Sequence, residues 1–141
     1  MKKNVVITVR GIQHQAEDDE PVEVISAGTY MRKESTHYLS YEEADEDGKI
    51  TKNRIKITPD SIEMTKQGGV ATQMIFTKGQ KHFSCYETPF GELTLGMTTK
   101  KVKVTEENRQ LYAYLCYDLE VNGTHMSECE LDIEVKECTA G

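Results

Sequence analysis

Apolar and polar residues take turns along most of this chain, and a period of two admits strands while leaving little room for anything else. Leu111, Ala113, Leu115, Tyr117, Leu119 and Val121 occupy every second position. Cys129, Leu131, Ile133 and Val135 do the same, with Glu128, Glu130, Asp132, Glu134 and Lys136 alternating against them. Val5, Ile7 and Val9 form a shorter run, as do Leu93, Leu95 and Met97. Successive strand side chains point to opposite faces, so each run offers one face to a core and one to water. A helix needs apolar residues at steps of three and four, and a charge at every second position would cut across that stripe.

Turn residues separate the runs at hairpin distances. Asp47-Gly48 and Asn122-Gly123 are pairs that reach positive φ cheaply, as a type I′ turn requires. Pro59-Asp60, Gln67-Gly68-Gly69 and Lys78-Gly79 supply further turns, and Pro89 in Thr88-Pro89-Phe90-Gly91 cannot donate to a ladder. Strands are therefore expected near residues 4–12, 21–33, 36–45, 49–58, 61–67, 70–78, 81–87, 91–104, 110–122 and 124–137. Antiparallel strands in this number hide their edges by closing into a barrel or stacking as a sandwich, and short connections favour the up-and-down barrel. The expected architecture is all-β, an antiparallel up-and-down barrel of about 8–10 strands forming one domain over residues 1–141. Apolar parity in the eighth strand is odd at Leu93, Leu95 and Met97 but even at Val102 and Val104, which predicts a bulge between Thr98 and Lys101. Glu17-Asp18-Asp19-Glu20 reads as a solvated loop, and Glu42 to Asp47 as a strand running out into one.

Composition excludes several classes. With 17 basic and 24 acidic side chains the formal net charge is -7, the opposite of a nucleic-acid or anionic-membrane footprint. No apolar run approaches the roughly 20 residues of a membrane span, and the start, Met1-Lys2-Lys3-Asn4, reads as mature sequence. Cys85, Cys116, Cys129 and Cys138 contain no C-x-x-C pair, so reduced thiols in a cytoplasm are expected in place of disulfides or zinc. His14, His37, His82 and His125 stand singly, with no spacing that suggests a metal site. No G-x-S-x-G elbow, glycine-rich phosphate loop or H-E-x-x-H is present, and Glu87, Glu92 and Glu42-Glu43 lie at strand ends where carboxylates are solvated. A catalytic reading is the weakest, and no cofactor is expected.

The chain also resembles the YwiB-like family of uncharacterised bacterial proteins, a domain of unknown function. The resemblance rests on Gly28-Thr-Tyr30, Tyr38-Leu-Ser-Tyr-Glu-Glu43, Ile55-Lys-Ile57, Gly68 after a basic residue, and Met74-Ile-Phe76 followed by Gly79. Tyr86-Glu-Thr-Pro-Phe-Gly-Glu-Leu93 with Thr98-Thr99-Lys100 is its most specific piece. It implies a calycin-like, lipocalin-like barrel and a cytoplasmic bacterial protein, and it implies no activity. Lys66-Gln67 stands where the family tends to have arginine, and a lysine recognises a planar anion less specifically than a guanidinium.

Barrels of that kind enclose apolar or amphipathic ligands, an expectation by analogy of fold. Within the apolar rows, Tyr41 shares a face with Leu39, Lys66 with Ile62 and Met64, Tyr117 with Leu115 and Leu119, and Arg32 with Tyr30. Arg32, Tyr41, Lys66 and Tyr117 are the ligand-binding candidates, because a few polar groups in an apolar site orient a bound molecule. The competing reading is a protein-interaction module with a filled core and an outer aromatic surface at Tyr112 and Tyr114, whose row Cys116 continues. Monomer and homodimer are both compatible with either.

Overall fold

The computed structural model describes residues 2–14, 21–68 and 72–138, apart from the side chains of residues 86–88. Ten strands follow in chain order: β1 (Lys3–His14), β2 (Val22–Lys33), β3 (Thr36–Ala44), β4 (Ile50–Thr58) and β5 (Ser61–Gln67), then β6 (Thr72–Thr77), β7 (Lys81–Thr88), β8 (Gly91–Glu107), β9 (Gln110–Val121) and β10 (Thr124–Glu137). All pairings are antiparallel, in the order β6-β5-β4-β3-β2-β1-β10-β9-β8-β7. The result is a nearly closed, ten-stranded up-and-down barrel. The acidic run Glu17–Glu20 and the expected start of β6 at residues 70–71 lie outside the described residues, as does the Glu87 side chain.

Closure is made by the two ends of the chain, since β1 and β10 pair from Val5↔Glu137 to His14↔Glu128. The seam falls between β6 and β7, which join no common ladder. There the connection between them bonds to β8: Gly79 donates its N–H to the Thr99 carbonyl at 2.9 Å, and Thr99 donates to the Gln80 carbonyl at 3.0 Å. The register of β8 against β9 shifts between Thr99 and Lys101, at the bulge the parity change predicts. Lys100, left out of the pairing, reaches Glu128 at 2.7 Å and Asp118 at 3.4 Å on the outer surface.

Turn chemistry follows the sequence with two exceptions besides Glu34, which is left-handed at φ 58° between β2 and β3. Asn122 and Gly123 both have positive φ, at 49° and 85°, as a type I′ turn demands. At Asp47-Gly48 only the glycine is left-handed, and the expected two-residue turn is a five-residue loop. The Asp45 carboxylate organises it, accepting the N–H groups of Asp47 at 2.9 Å and Lys49 at 2.8 Å, because a short acidic side chain competes well for nearby backbone donors. The second exception is Asn108-Arg109, between β8 and β9, which takes positive φ at both positions (49° and 64°) without a glycine.

Opposed residues across the ladders share a face, so the registers define the interior. Val5, Ile7, Leu39, Ile55, Ile57, Ile62, Phe76, Met97, Leu115, Ile133 and Val135 form one buried apolar cluster across the barrel. Of the two mouths, the terminal one carries the beginning of β1, the end of β10 and the turns at residues 34–35, 59–60, 78–80 and 108–109. The far mouth carries the loops at 45–49, 89–90 and 122–123.

Candidate functional site

Toward the far mouth the interior changes character. Tyr41 opposes Asn53, Asn53 opposes Lys66, and Lys66 opposes Thr72. Four neighbouring strands thus place one rank of polar side chains on the inner wall. Tyr41 is 5 % exposed and Asn53 is 2 % exposed. The Asn53 amide donates to Glu43 Oε1 at 3.2 Å and approaches the Thr51 carbonyl at 3.5 Å. The same Glu43 oxygen lies 3.9 Å from the Lys66 ammonium. Glu43 therefore satisfies the buried amide and holds the lysine loosely, while Glu42 takes the outward face, so the two carboxylates do not form a pair.

The Tyr41 hydroxyl makes no hydrogen bond among the described residues. Burial, and then the Glu43 charge, push its pKa up to about 12, so it stays a neutral donor throughout the physiological range. Elsewhere on the inner wall, Val9, Val24, Leu95, Leu119 and Leu131 turn inward yet remain partly exposed. Tyr117 lines the same interior and packs at a tilt against Phe76, 4.7 Å between ring centroids, bridging β9 to β6 across the seam.

Tyr117 lies against Phe76 at the seam, and two of the four ligand candidates, Tyr41 and Lys66, share the polar rank. Arg32 does not. Strand β2 carries it to the terminal mouth, where its guanidinium donates to Glu106 at 3.3 Å and to the Glu34 carbonyl at 2.9 Å. Strand length explains the separation, because residues on one face still span both ends of a twelve-residue strand. Its neighbour His37 is 5 % exposed and bonds the Tyr30 hydroxyl through Nδ1 at 2.7 Å. Burial lowers the His37 pKa from its ordinary value of 6.5, and Glu106 opposes that shift.

Stability should follow from this. A histidine depressed in the fold contributes fully above 6.5, and that contribution is lost as the pH falls through the folded value. The urea midpoint of the protein is expected to fall between pH 6.5 and about 5, a window above ordinary carboxylate titration. His37→Gln should flatten that slope; an unchanged slope would place the sensitivity elsewhere.

Tyr112 and Tyr114 take the outward face of β9, as the alternation requires, and their own sheet ties them down. The Tyr112 hydroxyl donates to Gln110, and Tyr114 donates to Glu130 at 2.5 Å. That bond holds the Tyr114 phenol proton well above its usual range, and the same bond, with His14, holds Glu130 below its own. Cys116, next in the row, is buried beside Glu128 at 3.6 Å. None of the four cysteines is bridged. No helix of the described residues is long and apolar enough to cross a membrane, which does not bear on strands.

Sequence reasoning passed over Asn53, although its parity with Ile55 and Ile57 already put it inside. His37 carried the same signal through Leu39 and Tyr41. The Asn108-Arg109 turn carried none, lacking the expected glycine.

The fold and this far mouth define a class: a ten-stranded antiparallel barrel with a polar rank on its inner wall. The chain belongs to the family described as Domain of unknown function (DUF1934), whose model matches residues 7–133. It is 30 % identical over 124 residues to the uncharacterized beta-barrel protein YwiB of Bacillus subtilis, covering 86 % of each chain. A crystal structure of ywiB protein from Bacillus subtilis superimposes with a TM-score of 0.83 at 22 % identity, over 98 % of this chain and 94 % of that one. The family is one of unknown function.

Proposed function

We propose that this is a non-catalytic binding protein that holds a small amphipathic ligand inside the far half of the barrel. The supporting observation is the rank Tyr41–Asn53–Lys66–Thr72 on the inner wall, set beside the apolar side chains of the buried cluster. Binding sites combine apolar walls with a few fixed polar groups. Tyr41 supplies a neutral donor with no bond of its own, Lys66 a mobile ammonium, and Asn53 an amide locked by Glu43. A ligand with an oxyanion or carbonyl head and an apolar body matches that division. The head would meet Lys66 and Tyr41, and the body would lie against Val9, Leu119 and Tyr117. Glu43 keeps Lys66 partly neutralised, so the site favours a weakly anionic or polar head over a multiply charged one. The buried cluster, which includes Tyr41, sets the depth a ligand reaches.

The probe 1-anilinonaphthalene-8-sulfonate, an apolar body carrying one oxyanion, tests this reading. Titration into the folded protein should give saturable, blue-shifted emission. Lys66→Met should weaken it about tenfold, the scale of one lost charge-assisted contact, and Tyr41→Phe by less. Tyr112→Ser should leave it unchanged. Binding that ignores Lys66 and Tyr41 but follows Tyr112 would overturn the proposal in favour of an outer contact surface.

A further inference from the structure

The terminal mouth holds a second, separate cleft of about 430 Å³. Its floor is apolar, made by Val5, Leu111 and Val135, each no more than 4 % exposed. Six charged side chains rim it, three of each sign, and most of them cancel locally. Lys3 meets Glu137 at 2.7 Å, and Arg32 meets Glu106 at 3.3 Å. Arg109 and Glu107 are left over. Neither makes a hydrogen bond or ion pair among the described residues, and Arg109 acts on Glu137 only through space.

Arg109 is also held in an unusual backbone. It occupies the left-handed region at φ 64°, after Asn108 at 49°, in a turn where glycine is the natural occupant. Strained non-glycine positions concentrate at functional sites. Here the turn keeps a guanidinium at the rim of an apolar-floored cleft, with an uncommitted carboxylate two residues before it in sequence.

We infer that this cleft is a binding site for a small zwitterion with an apolar body, an apolar α-amino acid in chemical class. The carboxylate of such a ligand pairs with Arg109, its ammonium with Glu107, and its side chain occupies the cleft above Leu111 and Val135. Overall the charges of the rim sum to zero, so a simple anion or cation would meet as much repulsion as attraction, whereas a ligand bearing one charge of each sign meets its complement. The volume lies within the usual range of small-molecule sites.

L-leucine is the direct probe, titrated into the intact protein by calorimetry beside N-acetyl-L-leucine, which lacks the ammonium, and L-leucinamide, which lacks the carboxylate. Saturable L-leucine binding is expected, and each blocked analogue should bind about tenfold more weakly, as loss of one charged contact implies. Arg109→Gly should weaken L-leucine to a similar degree. Glycine suits φ 64° better than arginine does, so this variant removes the guanidinium without threatening the fold. Lys66→Met, at the other mouth, should change nothing. Absence of saturable L-leucine binding, or binding that Arg109→Gly leaves intact, would overturn the inference; binding that Lys66→Met abolishes would move the ligand to the far mouth and overturn it equally.

Discussion

Phe76→Ala is expected to lower the unfolding free energy by about 3–5 kcal/mol, the range for deleting a buried phenylalanine ring. Phe76 is 0 % exposed and sits beside the one break in the sheet, where no ladder joins β6 to β7. Its ring packs on Tyr117 of β9, so side-chain contact takes over there from backbone bonding. The cavity left by alanine should destabilise the seam first. Hydrogen exchange should quicken in β6, which has one ladder partner, before it does in β1 and β10, which are paired on both sides. Urea denaturation measures the total, and a loss under about 1 kcal/mol would mean that the seam closes by other contacts.

Gly28→Val is expected to be comparably severe, for the opposite reason. Gly28 pairs with Val5 on one side and Tyr41 on the other, facing inward. A Cβ built there would stand 2.4 Å from the Ser40 carbonyl oxygen, 2.7 Å from Ile7 Cδ1 and 3.1 Å from Tyr41 Cβ. The nearest of these is backbone and cannot swing aside. Relief requires β2 and β3 to part, which costs on the order of 3 kcal/mol for overpacking of this kind. Because Tyr41 moves with β3, binding of the anilinonaphthalene probe should weaken even in the fraction that remains folded. A variant as stable as the parent would show that β2 and β3 are farther apart at this point than the register places them.

The barrel was legible because its determinants are local. Period-two runs give strands, Asn122-Gly123 gives a turn from two residues alone, and the parity break between Met97 and Val102 marks a bulge within one strand. Parity also put Tyr41, Lys66 and Tyr117 inside and Tyr112 and Tyr114 outside. It does not say how far along the barrel axis a residue sits, so Arg32 was grouped with side chains at the opposite mouth. Register between strands decides that, and it depends on loop lengths and tertiary closure. The seam was illegible for a related reason: Lys78-Gly79-Gln80 reads as a hairpin and keeps the local Gln80-to-Thr77 bond, yet Gly79 and Gln80 also bond Thr99, about twenty residues away in sequence. Asn108-Arg109 escaped notice because its permissive Asn108 is followed by arginine and not glycine, and the pairing of β8 with β9 holds Arg109 left-handed.

Native mass spectrometry of the freshly purified protein, repeated after denaturation, tests the binding account most directly. The account expects a stoichiometric small-molecule adduct on the native protein, or one formed on addition of the anilinonaphthalene probe, that denaturation releases and Lys66→Met with Tyr41→Phe removes. A native mass equal to that of the bare chain, unchanged by excess probe, would contradict it and leave the barrel interior without a ligand to hold.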